Sequence, residues 1–77
     1  MNNKRREAIR AISAKIEDLK EDLQALHDEE QEGFDNLSEG LQASEKGQAM
    51  EEAAGNLDSA INDLDSAINS MAEACGG

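Results

Sequence analysis

From Ile9 onward the large aliphatic side chains recur at Ile9, Ile12, Ile16, Leu19, Leu23 and Leu26, spaced 3, 4, 3, 4 and 3 residues apart. That rhythm returns to the same side of an α-helix every seven residues, so all six fall along one seam. With Ile9, Ile16 and Leu23 at heptad position a and Ile12, Leu19 and Leu26 at d, the spacing predicts a helix over about 3–32. A second run, Met50, Ala54, Leu57, Ile61, Leu64, Ile68, Met71 and Cys75, alternates in the same way. Within it NLDSAIN (56–62) is repeated one heptad later as DLDSAIN (63–69). A seven-residue repeat lengthens a helix and does not make a repeat domain, because one heptad buries nothing by itself. No proline interrupts either run. Ser44 as N-cap, with Glu45 in the first turn, starts a second helix over about 45–74.

Gly33 is the expected terminator of the first helix, leaving a connection over about 33–44 that holds Gly33, Asn36, Ser38 and Gly40. So short a connection makes the helices antiparallel neighbours. The expected fold is all-α: an antiparallel two-helix hairpin forming one domain over 1–77, with a frayed tail over 75–77. Antiparallel a-to-d layering is met when partner numbers add to 80, as in Ile9 with Met71, Ile12 with Ile68, Leu19 with Ile61 and Leu23 with Leu57. Lys20 then lies close enough to Asp58 for an ion pair.

The second helix carries more than a seam. Its g positions, Ala53, Ala60, Ala67 and Ala74, are all alanine. A stripe that spans a, d and g faces two neighbours, and small side chains permit a close helix approach. A lone hairpin supplies only one neighbour. Dimerisation into a four-helix bundle is therefore expected, with Leu57, Ala60, Ile61, Leu64, Ala67 and Ile68 as its core.

The 77 residues carry a net charge of −11, which disfavours direct nucleic-acid binding. Charge is unevenly placed: residues 1–20 sum to +3 and residues 21–77 to −14. The first helix begins with Lys4, Arg5 and Arg6 and ends with Asp28, Glu29, Glu30 and Glu32, the wrong sign at both ends for its macrodipole. These charges are either compensated by the neighbouring helix or serve an external partner. The acidic cluster around the connection is simply a solvated surface or a binding surface for a basic partner. In the second case Glu29, Glu30, Glu32, Asp35 and Glu39 surround Phe34, the only aromatic residue, as an apolar anchor. In the first, Phe34, Leu37 and Leu41 plug the end of the hairpin.

Catalysis is not expected, because two helices enclose no cleft in which a nucleophile and base could be assembled. The acids Asp28, Glu30, Glu32 and Glu39 with Gly33 approximate a calcium-loop spacing. The match is poor, since Asp35 stands where that loop needs an aliphatic residue. His27 has too few companion donors for a metal site. Neither a metal nor another cofactor is expected. One cysteine, Cys75, excludes an internal disulfide framework, and no apolar run is long enough to span a membrane. The bases of 1–10 are not followed by the apolar stretch of a signal peptide. A cytoplasmic location is expected.

The stretch Glu29–Ala53, with Phe34, Asp35 and Asn36 at the turn and Ser44, Glu45, Lys46 and Gly47 at a helix start, resembles small acidic helical-hairpin proteins encoded by bacteriophages and prophages of Gram-positive bacteria. Ser38 departs from that pattern, in which a proline opens the short segment. The resemblance implies a phage accessory protein that binds and inhibits a host protein with a basic surface, such as a defence (CRISPR included) or nucleic-acid-handling protein. A different outcome is an oligomer that sequesters a small nucleotide signal, for which Lys4, Arg5, Arg6 and Arg10 are the candidate anion-binding residues, or a purely structural oligomerisation module.

Overall fold

The computed structural model describes residues 1–76. Three helices follow one another: α1 (Asn3–Asp35), α2 (Glu39–Gln42) and α3 (Glu45–Ala74). The two long helices pack side by side as a hairpin, giving a rod of 58 × 15 × 14 Å. Each helix starts on a side-chain oxygen that satisfies an otherwise unpaired N–H. Asn2 accepts from the Arg5 amide, Ser38 from Leu41 and Ser44 from Gly47. Ser38, without proline's fixed geometry, thus opens α2 through its hydroxyl.

α1 does not end at Gly33. It continues to Asp35, supported by a Gln31 Nε2 to Asp35 Oδ1 hydrogen bond of 3.0 Å, and closes where the Asn36 amide reaches the Glu32 carbonyl. Gly33 sits inside the helix against α3, where an added Cβ would stand 3.0 Å from Met50 Cε. The tail expected to begin at Cys75 begins later, since Cys75 is buried and its Sγ lies 3.9 Å from the Arg6 carbonyl oxygen. Gly77 lies outside the described residues.

The α3 seam is the expected one: Met50, Ala54, Leu57, Ile61, Leu64, Ile68, Met71 and Cys75 are all buried or half-buried, and Gly47, outside the expected run, is buried as well. On α1 the inward rows are a and e instead of a and d. Ile9, Ile16 and Leu23 turn inward together with Arg6, Ser13, Lys20, His27 and Phe34. The d residues stay in solvent, with Ile12 50%, Leu19 59% and Leu26 54% exposed. In this rotation Lys20 Nζ reaches Asp65 Oδ1 at 2.6 Å, with the e rows of the two helices on the same side. Long side chains such as Lys20 cover apolar surface with their stems while keeping the charge wet. Lys20 therefore pairs with Asp65 and not with Asp58. The contacts Arg6–Cys75, Gly33–Met50 and Lys20–Asp65 place the α3 partner one to five residues beyond the expected position.

That offset comes from the turn. α2 folds against the first turn of α3, and the Ser44 hydroxyl donates to the Leu41 carbonyl. Gly47 is buried at this crossing. A Cβ at Gly47 would stand 2.7 Å from the Gln42 carbonyl carbon and closer still to the Leu41 and Gln42 carbonyl oxygens. Backbone cannot retreat as a side-chain tip can. Gly55, by contrast, would place its Cβ in open space. Gly47→Ala is expected to destabilise the fold by about 1–3 kcal/mol through overpacking. Gly55→Ala should stabilise it by about 0.5–1 kcal/mol through helix propensity. Urea unfolding of the two variants beside the parent checks both signs.

Candidate functional site

The turn end gathers the acids. Glu29, Glu32, Asp35 and Glu39 are exposed, while Glu30 and Phe34 are half-buried on the side of α1 that faces α3. The Phe34 carbonyl accepts a hydrogen bond from Gln42 Nε2 at 3.1 Å, which ties α1 to α2 beneath the cluster. Phe34 thus closes the end of the hairpin with part of its surface and offers the rest to solvent. Among the described residues the ion pairs are Lys20 with Glu17 and Asp65, and His27 with Asp28. None of the five carboxylates around Phe34 has a cationic neighbour. α1 carries no acid in its first turn and no base in its last, so the unfavourable dipole pattern persists within one copy.

The open end holds the bases. A shallow hollow of about 160 Å³ lies there, lined by Ile9, Arg10, Ser13, Met71, Ala72 and Cys75. Arg6, one turn earlier on the same flank, donates from a guanidinium Nη to Asn3 Oδ1 at 3.1 Å, and its Nε is buried without a partner. Lys4 and Arg5 are exposed and do not line the hollow. Of the four candidate anion-binding residues only Arg10 lines the hollow.

The two long sides of the hairpin differ. One carries the hollow and the Lys20–Asp65 pair, with both helices contributing their e rows. The opposite side therefore carries the α1 d row, Ile12, Leu19 and Leu26, beside the α3 g row of Ala53, Ala60, Ala67 and Ala74. All of these are exposed except Ala60, which is half-buried. Of the expected bundle core, Ile61 is buried inside a single hairpin, Leu57, Ala60, Leu64 and Ile68 are half-buried, and Ala67 is exposed. Heptad reading alone missed the exposed d row because it assigned those residues to the internal seam. The e positions Lys20 and Asp65, of opposite charge, are the pair that this rotation brings together.

Asp28 to Glu32 lie on helix α1, so the calcium-like spacing forms no loop. Among the described residues no group of three or more His, Cys, Asp or Glu side chains is arranged to hold a metal ion. No helix is long and apolar enough to cross a membrane. No protein-family model, curated protein or solved structure matches the chain.

His27 Nδ1 lies 3.1 Å from Asp28 Oδ1, and Gln24 Nε2 donates to the same oxygen at 3.0 Å. These contacts, His27 first, hold the Asp28 carboxyl below its ordinary value of 3.8. A carboxyl lowered in the folded state stabilises that state above its unfolded pKa and loses the contribution as pH falls through the lowered value. Asp28→Asn is therefore expected to be less stable than the parent at neutral pH. The difference should vanish under acid conditions, as read by thermal melts across pH.

Proposed function

We propose that this chain is a non-enzymatic, self-associating interaction protein that presents its acidic turn to the basic surface of another protein and competes there with nucleic acid. The observation that carries this reading is the set of exposed, unpaired carboxylates at one end of a rod: Glu29, Glu32, Asp35 and Glu39, with Glu30 and Phe34 partly covered among them. A rigid helical end holds these charges in place, which lowers the ordering cost of binding. Carboxylates facing lysine and arginine speed encounter and select basic partners. The resemblance to phage-encoded hairpins supports a bacterial host protein, of a defence system (CRISPR included) or otherwise nucleic-acid-handling, as the target. Inhibition then follows from occupancy of its nucleic-acid groove. The site of action is the bacterial cytoplasm.

Self-association belongs to the same reading. The exposed aliphatic row on α1 and the alanine row on α3 form an unpartnered apolar side, and a dimer assembled as a four-helix bundle would cover it. Light scattering at micromolar concentration is expected to give twice the 8.3 kDa chain mass.

Nucleotide sequestration keeps one specific support, the Arg6 Nε that is buried without a partner one helical turn before Arg10, which lines the open-end hollow. A bound nucleotide released by Arg6→Ala and Arg10→Ala together would favour it over the acidic turn.

The deciding experiment is capture of partners from a Gram-positive bacterial lysate. It uses the parent beside a variant carrying Glu29→Gln, Glu30→Gln, Glu32→Gln, Asp35→Asn and Glu39→Gln. The expected result is a nucleic-acid-binding protein retained only by the parent and released by rising salt. Identical captures by both chains would reduce the acidic turn to a solvated surface.

A further inference from the structure

The apolar side of the hairpin and the unequal charge at its two ends carry one inference together. The chain exposes 5486 Å², whereas a compact protein of this mass exposes about 4,600 Å². The excess, about 900 Å², is close to the roughly 800 Å² that each partner buries in a standard interface. No large side chain is fully enclosed in the single hairpin.

The two apolar rows are centred at the same height on the rod. On α1 the middle residue of Ile12, Leu19 and Leu26 is Leu19. On α3 the middle of Ala53, Ala60, Ala67 and Ala74 falls between Ala60 and Ala67. The Lys20–Asp65 contact places these two centres side by side. A single two-fold axis at that height maps both rows onto themselves. A surface of this kind is self-complementary, as an isologous dimer requires.

Two two-fold axes can lie in the plane of this surface: one across the rod, which maps each row onto itself, and one along the rod, which exchanges the two rows. An axis along the rod would bring the two acidic turns together, and like charges would oppose assembly. An axis across the rod reverses one copy. Leu19 then meets its own symmetry mate, Ile12 meets Leu26 of the partner subunit, and Ala60 meets Ala67 of the partner subunit. In this arrangement Arg5, which continues the d row, lies at the height of Gly33 of the partner subunit, beside Glu29 of the partner subunit and Glu32 of the partner subunit. At the outer edge Lys15 faces Asp22 of the partner subunit, and the pair occurs twice. Both residues are exposed in the single hairpin.

We propose that the occupant of the apolar side is a second copy of this chain, docked head to tail, so that the basic end of each copy covers the acidic turn of the other. The inference rests on the self-association proposed above and assigns its geometry. It also gives the inverted helix-end charges of α1 a role, since bases that cost an isolated helix stability complement acids across the interface. The turn remains acidic in the dimer because the bases are outnumbered.

Spin labels at Lys4→Cys in a Cys75→Ala background measure the geometry directly. In the head-to-tail dimer the labels lie about 45 Å apart, twice the fifteen-residue helical distance from Leu19. With the rods aligned they fall within about 20 Å, two helix widths. Lys15→Glu is expected to weaken the dimer by about tenfold. Lys15→Glu with Asp22→Lys should restore it without a change of net charge from the parent. Leu19→Asp should yield a monomer, and circular dichroism reports whether it stays helical. A dimer with the short label distance, or without rescue by the charge exchange, overturns the head-to-tail geometry and leaves self-association standing. A monomer at all concentrations overturns both.

Discussion

One line of packing between α1 and α3 holds this molecule together. Each long helix offers the other a single strip of side chains at alternating three- and four-residue spacing, and α2 adds only a brace at the turn. A two-helix arrangement has no third layer, so every core residue has solvent within reach on at least one side. The buried apolar side chains are correspondingly few: Ala54, Ile61 and Cys75. The choice of strip on α1 decides everything lateral to it. Bringing the e row inward with Lys20 and Asp65 makes one side of the rod polar and leaves the other to aliphatic and alanine rows.

Charge is organised along the perpendicular direction, from a basic open end to an acidic closed one. Neither end is neutralised within one copy, since the ion pairs lie in the middle and next to His27. Exposed ion pairs contribute little to stability in any case. The lengthwise polarity is thus better suited to orienting partners than to holding the hairpin closed. An acidic turn for a basic protein and a head-to-tail second copy draw on the same asymmetry, and the excess of acids over bases leaves carboxylates available to both.

Much of the architecture was legible in the heptads. The start of α3 at Ser44 and its seam from Met50 to Cys75 followed from residue spacing and capping chemistry, and the antiparallel hairpin followed from the length of the connection. The misreadings have local causes. Gly33 resembles a helix stop by type, yet α1 runs two residues past it to Asp35, with Gln31 hydrogen-bonded to Asp35 across that last turn. The d row of α1 has the right residues for a core, but in the hairpin the helix is turned by part of a heptad, which brings a polar pair together across the two helices. Lys20 and Asp65 supply that pair, and their separation of 45 residues hides them from any local pattern. The acidic cluster was visible as composition, whereas the half-buried state of Phe34 depends on α2, whose four residues leave almost no periodic trace.

The hairpin's geometry also sets an order of events along the chain. Contacts near the turn join residues close in sequence, while the Cys75–Arg6 contact at the open end spans 69 residues. Closing short loops first and extending them stepwise avoids meeting the full loop-closure cost at once. Loop-closure entropy thus favours a seam that zips outward from α2, with the open end the last to form. Cys75 sits at that final step, covered only while the last turn of α3 lies on α1. Its thiol acts as a clock on the fraying motion: the rate at which it meets an oxidant or alkylating reagent is set by how often the rod unzips from its basic end.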